Sequence, residues 1–223
     1  MKRLDRRDFL QLSSAGMAAL GLGCTPKKAS TTSGDSASTD TDTDTDTTAP
    51  SDTAPSDTAP SDGTCAETSD NIEGPFYRED PPDRDMLDLY ADKGTPVSLQ
   101  GRVLDANCQP IPGAVLDFWQ ANPDGAYDLN TKEMRYYGRI TADADGAWQF
   151  QSLVPGFYLN GTQYRPAHIH VKIILDGVTM LTTQLYFKGD PYIDIDPYVE
   201  SDLIIDFTES DGALLGMFDF VLG

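Results

Sequence analysis

The chain is poor in the residues that most often build a site. Two histidines and three cysteines among 223 residues exclude a histidine-rich metal centre, a four-cysteine zinc set and a multi-bridge disulfide framework. Cations are scarce as well: 16 Lys and Arg against 36 Asp and Glu leave a formal charge of −20, which argues against nucleic acid as a partner. No apolar run is long enough to span a membrane; the stretch from Leu12 to Gly23 is short and rich in Gly and Ala. Residues 25–64 contain no aromatic or large aliphatic side chain, so that segment has nothing with which to build a core.

What is present divides the chain in three. Residues 1–24 begin with Lys2, Arg3, Arg6 and Arg7 and continue into the small-residue apolar stretch, the pattern of an export signal. Asp5-Arg6-Arg7-Asp8-Phe9-Leu10-Gln11 resembles a twin-arginine signal, whose route carries folded, often cofactor-loaded proteins. A general secretory signal with two incidental arginines is the alternative. Leu20-Gly21-Leu22-Gly23-Cys24 resembles a bacterial lipoprotein cleavage site, with its leucine one position further from the cysteine than usual. The expectation is an exported protein of the periplasm or cell envelope, anchored to the membrane if Cys24 is lipidated. Residues 25–64, with Thr-Asp alternation and three Thr-Ala-Pro-Ser-Asp repeats, read as an extended, disordered tether. Residues 65–223 form one domain. Its cysteines, Cys65 and Cys108, are an even pair in an oxidising compartment and are expected to form a disulfide.

Both histidines lie in Tyr164-Arg165-Pro166-Ala167-His168-Ile169-His170, which runs on into Val171-Lys172-Ile173-Ile174. If this is a strand, alternation puts His168 and His170 on one face and Ile169 on the other, a spacing at which two imidazoles can share an ion. Alone the pattern is weak, because an isolated histidine is ordinarily a surface or core residue with a satisfied hydrogen bond. With no cysteine nearby, any further protein ligands would be oxygen donors.

The domain reads as all-β. Residues 97–104, 114–119, 147–150, 168–175 and 180–187 carry strand patterns separated by turn signals such as Asp143-Ala144-Asp145-Gly146 and Asp176-Gly177. Strands at this spacing predict an antiparallel β-sandwich with long loops. The only helical signal is a short turn around Asp85 to Tyr90.

The ordered blocks Glu73-Gly74-Pro75-Phe76-Tyr77, Trp119-Gln120-Ala121-Asn122, Gly125-Ala126-Tyr127, Val154-Pro155-Gly156-Phe157-Tyr158, Arg165-Pro166-Ala167-His168-Ile169-His170 and Thr183-Gln184-Leu185-Tyr186-Phe187 resemble the intradiol ring-cleavage dioxygenases, the family of catechol 1,2-dioxygenases and protocatechuate 3,4-dioxygenases. The resemblance runs from about residue 70 to 195. It implies a non-haem Fe(III) centre held by Tyr127, Tyr158, His168 and His170. The segment between Tyr158 and Arg165 is shorter than in the protocatechuate enzymes, so Tyr164 remains an alternative second phenolate. Phenolate is a hard anionic donor suited to ferric iron, which removes a proton that free tyrosine keeps to about pH 10.

The activity the resemblance implies is opening of a catechol-type ring between its two hydroxyls by O2, giving a cis,cis-muconate-type diacid. Tyr158 would be both ligand and base, taking one substrate proton. Arg165 would stabilise charge on the substrate, Gln184 would line the pocket beside it, and Pro75, Phe76 and Tyr77 would form a substrate wall. Each has a plainer reading: a salt bridge for Arg165, a polar strand position for Gln184, and packing against the sandwich for residues 75–77. The lack of an N-terminal helical segment makes the layout closer to the protocatechuate type. Two other readings stay open. One is a non-catalytic prealbumin-like binding or structural module on the cell envelope, distinguished by a colourless, iron-free protein. The other is a copper or zinc protein on the same ligands, distinguished by metal analysis.

Overall fold

The computed structural model describes residues 63–87 and 91–223; the export signal, Cys24 and nearly all of the tether lie outside the described residues, as does the second half of the expected turn from Asp85 to Tyr90. Among the described residues there is no α-helix. The strands are β1 (Pro96–Asp105), β2 (Val115–Gln120), β3 (Tyr137–Thr141), β4 (Ala147–Leu153), β5 (Tyr158–Asn160), β6 (Gln163–Arg165), β7 (His168–Leu175), β8 (Val178–Phe187), β9 (Ile204–Ile205), β10 (Thr208–Ser210), β11 (Ala213–Met217) and β12 (Phe220–Leu222), with 3-10 turns at Ile193–Ile195 and Ser201–Leu203.

Two five-stranded sheets result. In one, β1 is flanked by antiparallel β4 on one side and by β11, then β12, in parallel on the other, with β10 outside β11. The second sheet runs β3-β2-β7-β8-β9, its last pair parallel. The expected sandwich is therefore mixed rather than wholly antiparallel. The parallel ladders come from the C-terminal residues, which carry no clean alternation in sequence and return along β1. Gly101 accommodates the break between β11 and β12: Phe218 N–H donates to Gln100 O at 2.9 Å, and a Cβ on Gly101 would stand 1.7 Å from Phe218 O.

The inner faces meet in one core. Val97, Leu99, Val103, Trp148 and Phe150 come from the first sheet, and Leu116, Phe118, Ile169, Val171, Ile173 and Leu185 from the second. Phe118 bridges the layers, its ring centroid 4.4 Å from Phe150 and 5.4 Å from Trp148. Burying aromatics of this size dominates the apolar contribution to stability. The segment leading to Leu87 seals two open edges. Arg139 N–H donates to Pro82 O and Arg84 N–H to Arg139 O along β3, while Gln151 N–H donates to Asp85 O and Leu87 N–H to Gln151 O along β4. Covered edges cannot pair with a second chain.

Because β7 sends Ile169, Val171 and Ile173 into the core, His168, His170 and Lys172 lie on the outer face of the second sheet. Pairing register then fixes their neighbours. Tyr137, Trp119, His170 and Gln184 form one row across four strands, Arg139, Asp117, Lys172 and Thr182 the next, and Tyr186 lies opposite His168.

Candidate metal centre

An outer sheet face is ordinarily wet, yet here Trp119, His168, His170 and Gln184 are all at most 2% exposed. Three loops cover them. The first, residues 68–77, is tied to β8 by Asn71 N–H to Thr182 O at 2.7 Å and by the Gln184 amide, which donates to Ile72 O at 2.7 Å. Gly74, at φ 70°, passes over His170, where an added Cβ would lie 3.7 Å from Cε1.

The tyrosines arrive on two loops that cross at glycines. Gly125 sits at φ 82°, and a Cβ there would be 2.5 Å from Phe157 O; a Cβ on Gly156 would be 2.5 Å from Gly125 N and from Pro123 O. Only residues without a Cβ permit that approach. Asn122 holds the crossing, its main-chain O accepting from Gly125 N and Gly156 N and its side-chain oxygen from Asp124 N and Ala126 N. Each tyrosine lies two residues past its glycine. Tyr127 and Tyr158 therefore meet edge to face with centroids 5.6 Å apart.

Four donors converge. His168 Nε2 lies 3.2 Å from His170 Nε2 and 3.3 Å from Tyr127 Oη, and the Tyr158 ring lies 5.7 Å from that of His168. His168 Nδ1 contacts Pro166 O at 2.7 Å; that nitrogen must be the donor, which leaves the lone pair on Nε2. Burial, reinforced by the Arg165 charge, holds His168 down to about 3, and burial together with His168 and Arg165 holds His170 well below its ordinary value. Both imidazoles are thus neutral and able to ligate at neutral pH. Burial raises both phenols; at Tyr158 the Arg165 charge opposes this, and at Tyr127 the neighbouring Tyr158 adds to it. Such hydroxyls do not ionise unaided and need a cation to release their protons.

The donor set fits a hard trivalent ion. Two neutral imidazoles with Nε2 atoms 3.2 Å apart and two phenols converge, and among the described residues no cluster of three or more His, Cys, Asp or Glu offers a rival metal site. Tyr164 lies elsewhere: 41% exposed, it stacks on Tyr192 at 4.9 Å and meets Phe157 edge-on at 5.6 Å. In the β5–β6 ladder it pairs with Leu159, whereas Tyr158 pairs with Arg165.

Residues 75–77 separate. Phe76 stacks on Tyr127 at 4.3 Å and meets Tyr158 edge-on at 5.9 Å. Tyr77 instead packs on Trp119 at 4.9 Å, donates to Asp117 at 2.8 Å and lies 3.4 Å under the Lys172 ammonium. Pro75 is exposed. Gln184 uses both ends of its amide, with Oε1 accepting from Arg165 Nη2 at 2.8 Å and from Tyr186 Oη at 3.2 Å. Arg165 is buried and ion-paired with Asp196, so the salt-bridge reading and the site location hold together.

Sequence reasoning gave no role to Asp196 or Tyr186 at Arg165, nor to Trp119, whose ring stacks on His170 at 4.6 Å and 6°. Trp119 was reachable from strand pairing, since it sits directly across from His170. Asp196 is one acid among 36 with no local signal. Cys65 and Cys108 are joined by a disulfide with an S–S distance of 2.06 Å.

Residues 72–223 match the family model described as Dioxygenase. The chain is 35% identical over 170 residues to the chlorocatechol 1,2-dioxygenase of Rhodococcus opacus, covering 65% of this chain and 66% of that one. It is 31% identical over 164 residues to the hydroxyquinol 1,2-dioxygenase of Rhizobium sp. (strain MTP-10005), covering 64% and 56%; it thus spans less than two thirds of the length of either relative. Among solved structures it is similar to the dioxygenase domain of a dioxygenase and carbohydrate-binding protein fusion from Streptomyces sp. SirexAA-E, with a TM-score of 0.65, 37% identity, and coverage of 70% of this chain and 98% of that domain. With residues 72–223, more than half of the chain, matched by that family model, the chain belongs to the intradiol ring-cleavage dioxygenase family.

Proposed function

We propose that the domain opens a catechol-type ring between its two hydroxyls using O2, on a ferric ion held by Tyr127, Tyr158, His168 and His170. The observation that carries the reading is that His170 Nε2 and Tyr127 Oη both lie within 3.3 Å of His168 Nε2, with Tyr158 beside them. When bound, ferric iron supplies the Lewis-acid and redox chemistry that makes a chelated catecholate reactive towards O2. The chain's own residues do the rest. The imidazoles present their Nε2 atoms from a strand braced on both sides. Tyr158 Oη accepts a proton from the second substrate hydroxyl. Phe76 stands against both tyrosines and confines a flat ring beside them. Arg165 presents a cation where negative charge builds up on the opening ring, a contribution of about 3 kcal/mol when the donor is preorganised. The relatives act on chlorocatechols and hydroxyquinol by name, rings whose added substituents are uncharged, and this supports a catechol rather than a carboxylated substrate.

Export to the periplasm or envelope, with Cys24 as the lipid anchor, is part of the same proposal. It is supported by the twin-arginine-like start and by a disulfide that suits an oxidising compartment. The test is oxygen uptake by iron-loaded protein with a panel of catechols, with identification of the products. Ring opening between the hydroxyls, by a protein coloured through phenolate-to-iron charge transfer, is expected. Colourless protein from iron-replete cells, or opening beside the hydroxyls, would refute the reading.

A further inference from the structure

Lys172 contributes no donor to the metal centre, yet it lies on the same face of β7 as His168 and His170, and it is buried. A buried ammonium has to be paired. The carboxylate across the β2–β7 ladder from it, Asp117, is spent elsewhere: it accepts two bonds from Arg139, at 2.6 and 2.8 Å, and a third from Tyr77 Oη at 2.8 Å. Lys172 turns instead to the loop that covers the sheet. Its Nζ lies 2.5 Å from Glu73 Oε2 and 3.4 Å from the centre of the Tyr77 ring.

One ammonium thus clasps both feet of a short arch, Glu73-Gly74-Pro75-Phe76-Tyr77. The arch roofs the site. Gly74 bends at φ 70° over Cε1 of His170, and the Phe76 ring stacks on Tyr127 at 4.3 Å and meets Tyr158 edge-on at 5.9 Å. Tyr137 Oη steadies the crown by donating to Phe76 O at 2.6 Å. That bond fixes a backbone oxygen about which the loop can still pivot, so the two feet set the angle at which Phe76 meets the tyrosines. The Lys172 side chain is 10% exposed and that of Glu73 45%, so half of the clasp stands in water and weakens with salt.

We propose that Lys172 is a positioning residue that latches this arch shut, and so places Phe76 as the wall holding a flat ring beside Tyr127 and Tyr158. The inference rests on the ring-cleavage reading and adds the residue that sets the shape of the pocket. A partly desolvated cation–π contact together with an ion pair of this exposure shifts an open–closed equilibrium by about tenfold.

The experiment follows amide hydrogen exchange in the iron-loaded full chain. Wild type is compared with Lys172→Met, which keeps an unbranched stem and removes the charge, and with Glu73→Gln, which removes the charge from the more exposed foot. Exchange at residues 73–77 reads how often the arch opens, and exchange along β7 reports on the sheet beneath. The arch should exchange about tenfold faster in Lys172→Met and less so in Glu73→Gln, with β7 unchanged. High salt should speed the wild-type arch and leave Lys172→Met where it is, because only the wild type has this ion pair to screen. In the same variants KM for catechol should rise, by up to about tenfold, while kcat holds, the mark of a displaced binding wall rather than of lost chemistry. Arch exchange that ignores both variants overturns the inference. So does faster exchange spread equally over β7, the sign of a residue that only stabilises the sheet, and so does a KM that stays put while the arch speeds up. If Lys172→Met does not fold, Glu73→Gln decides: a faster arch over an unchanged β7 upholds the latch, and an unchanged arch overturns it. Wild type that cleaves catechol while the arch ignores the variants sinks this inference alone; wild type that neither binds nor cleaves a catechol sinks the functional reading and the role of the latch with it.

Discussion

Acid should destabilise the metal-free domain through its two histidines, well above the pH at which its carboxylates titrate. Both imidazoles are at most 2% exposed, and their Nε2 atoms stand 3.2 Å apart. In the folded protein His168 is held down to about 3 and His170 well below its ordinary value, whereas in the unfolded chain each titrates near 6.5. A depressed histidine gives stability that is fully present above the unfolded value and lost as pH falls, because only the unfolded state takes up the proton. The loss is about 1.4 kcal/mol per pH unit for each histidine, so about 3 kcal/mol per unit for the pair. Between pH 6.5 and 4.5 it reaches up to about 5 kcal/mol, comparable with the whole stability of a weak domain. Asp92 and Asp128, held below their ordinary values by hydrogen bonds to Tyr136 and to Thr131 that outweigh the opposing effect of burial, withdraw their contribution only below about pH 4, so between about pH 6.5 and 4.5 the loss is that of the histidines. Urea unfolding of iron-free protein at about pH 7, 6 and 5 reads the slope. A His168→Gln/His170→Gln protein, which cannot titrate there, should lose little over the same range. A flat wild-type profile, or an equal fall in the double variant, would show that the imidazoles are not the paired neutral donors described.

Other outcomes test the elements around the pair. Tyr158→Phe should retain iron by metal analysis while slowing substrate binding in stopped-flow mixing, because Oη is lost as both ligand and proton acceptor. Gly156→Ala places a Cβ 2.5 Å from two backbone atoms; it should cost about 1–3 kcal/mol in thermal unfolding and weaken the charge-transfer colour by pushing the two tyrosine loops apart. Cys65→Ser opens a link across 43 residues of sequence; about 4 kcal/mol of stability should go, read as a lower Tm, with ring cleavage at low temperature spared because the bond is remote from the donors.

How much of this could be read from residues alone follows from which signals are local. β7 begins at His168 and ends at Leu175, as its alternation predicts, and β1, β2 and β8 fall within two residues of the expected bounds. The facing of His168 and His170 needs only a period of two, and so was legible. β9 to β12 have two to five residues each, too few for a period to register, so the parallel ladders along β1 went unseen. The choice between Tyr158 and Tyr164 depends on which face of a three-residue strand turns inward, and Tyr158 pairs with Arg165 while Tyr164 stacks on Tyr192. The roles of Gln184 and Asp196 depend on contacts 19 and 31 residues from Arg165, and no local pattern encodes those.

The mechanical difference between the donors also matches the division of labour proposed for them. His168 and His170 sit on an eight-residue strand whose neighbours β2 and β8 pair with it across nearly its whole length, and the Trp119 ring lies flat on His170. Moving either imidazole would break a ladder at the centre of a five-stranded sheet. Tyr127 is braced by Phe76 and by the Asn122 crossing. Tyr158 is half-buried on a three-residue strand with one partner, in a two-stranded sheet separate from the other two. Its release from a metal would disturb three residue pairs and no core side chain. A site that must hold an ion through turnover while one ligand leaves to accept a proton needs this inequality, and the position of each donor, on sheet centre, braced loop or short hairpin, supplies it.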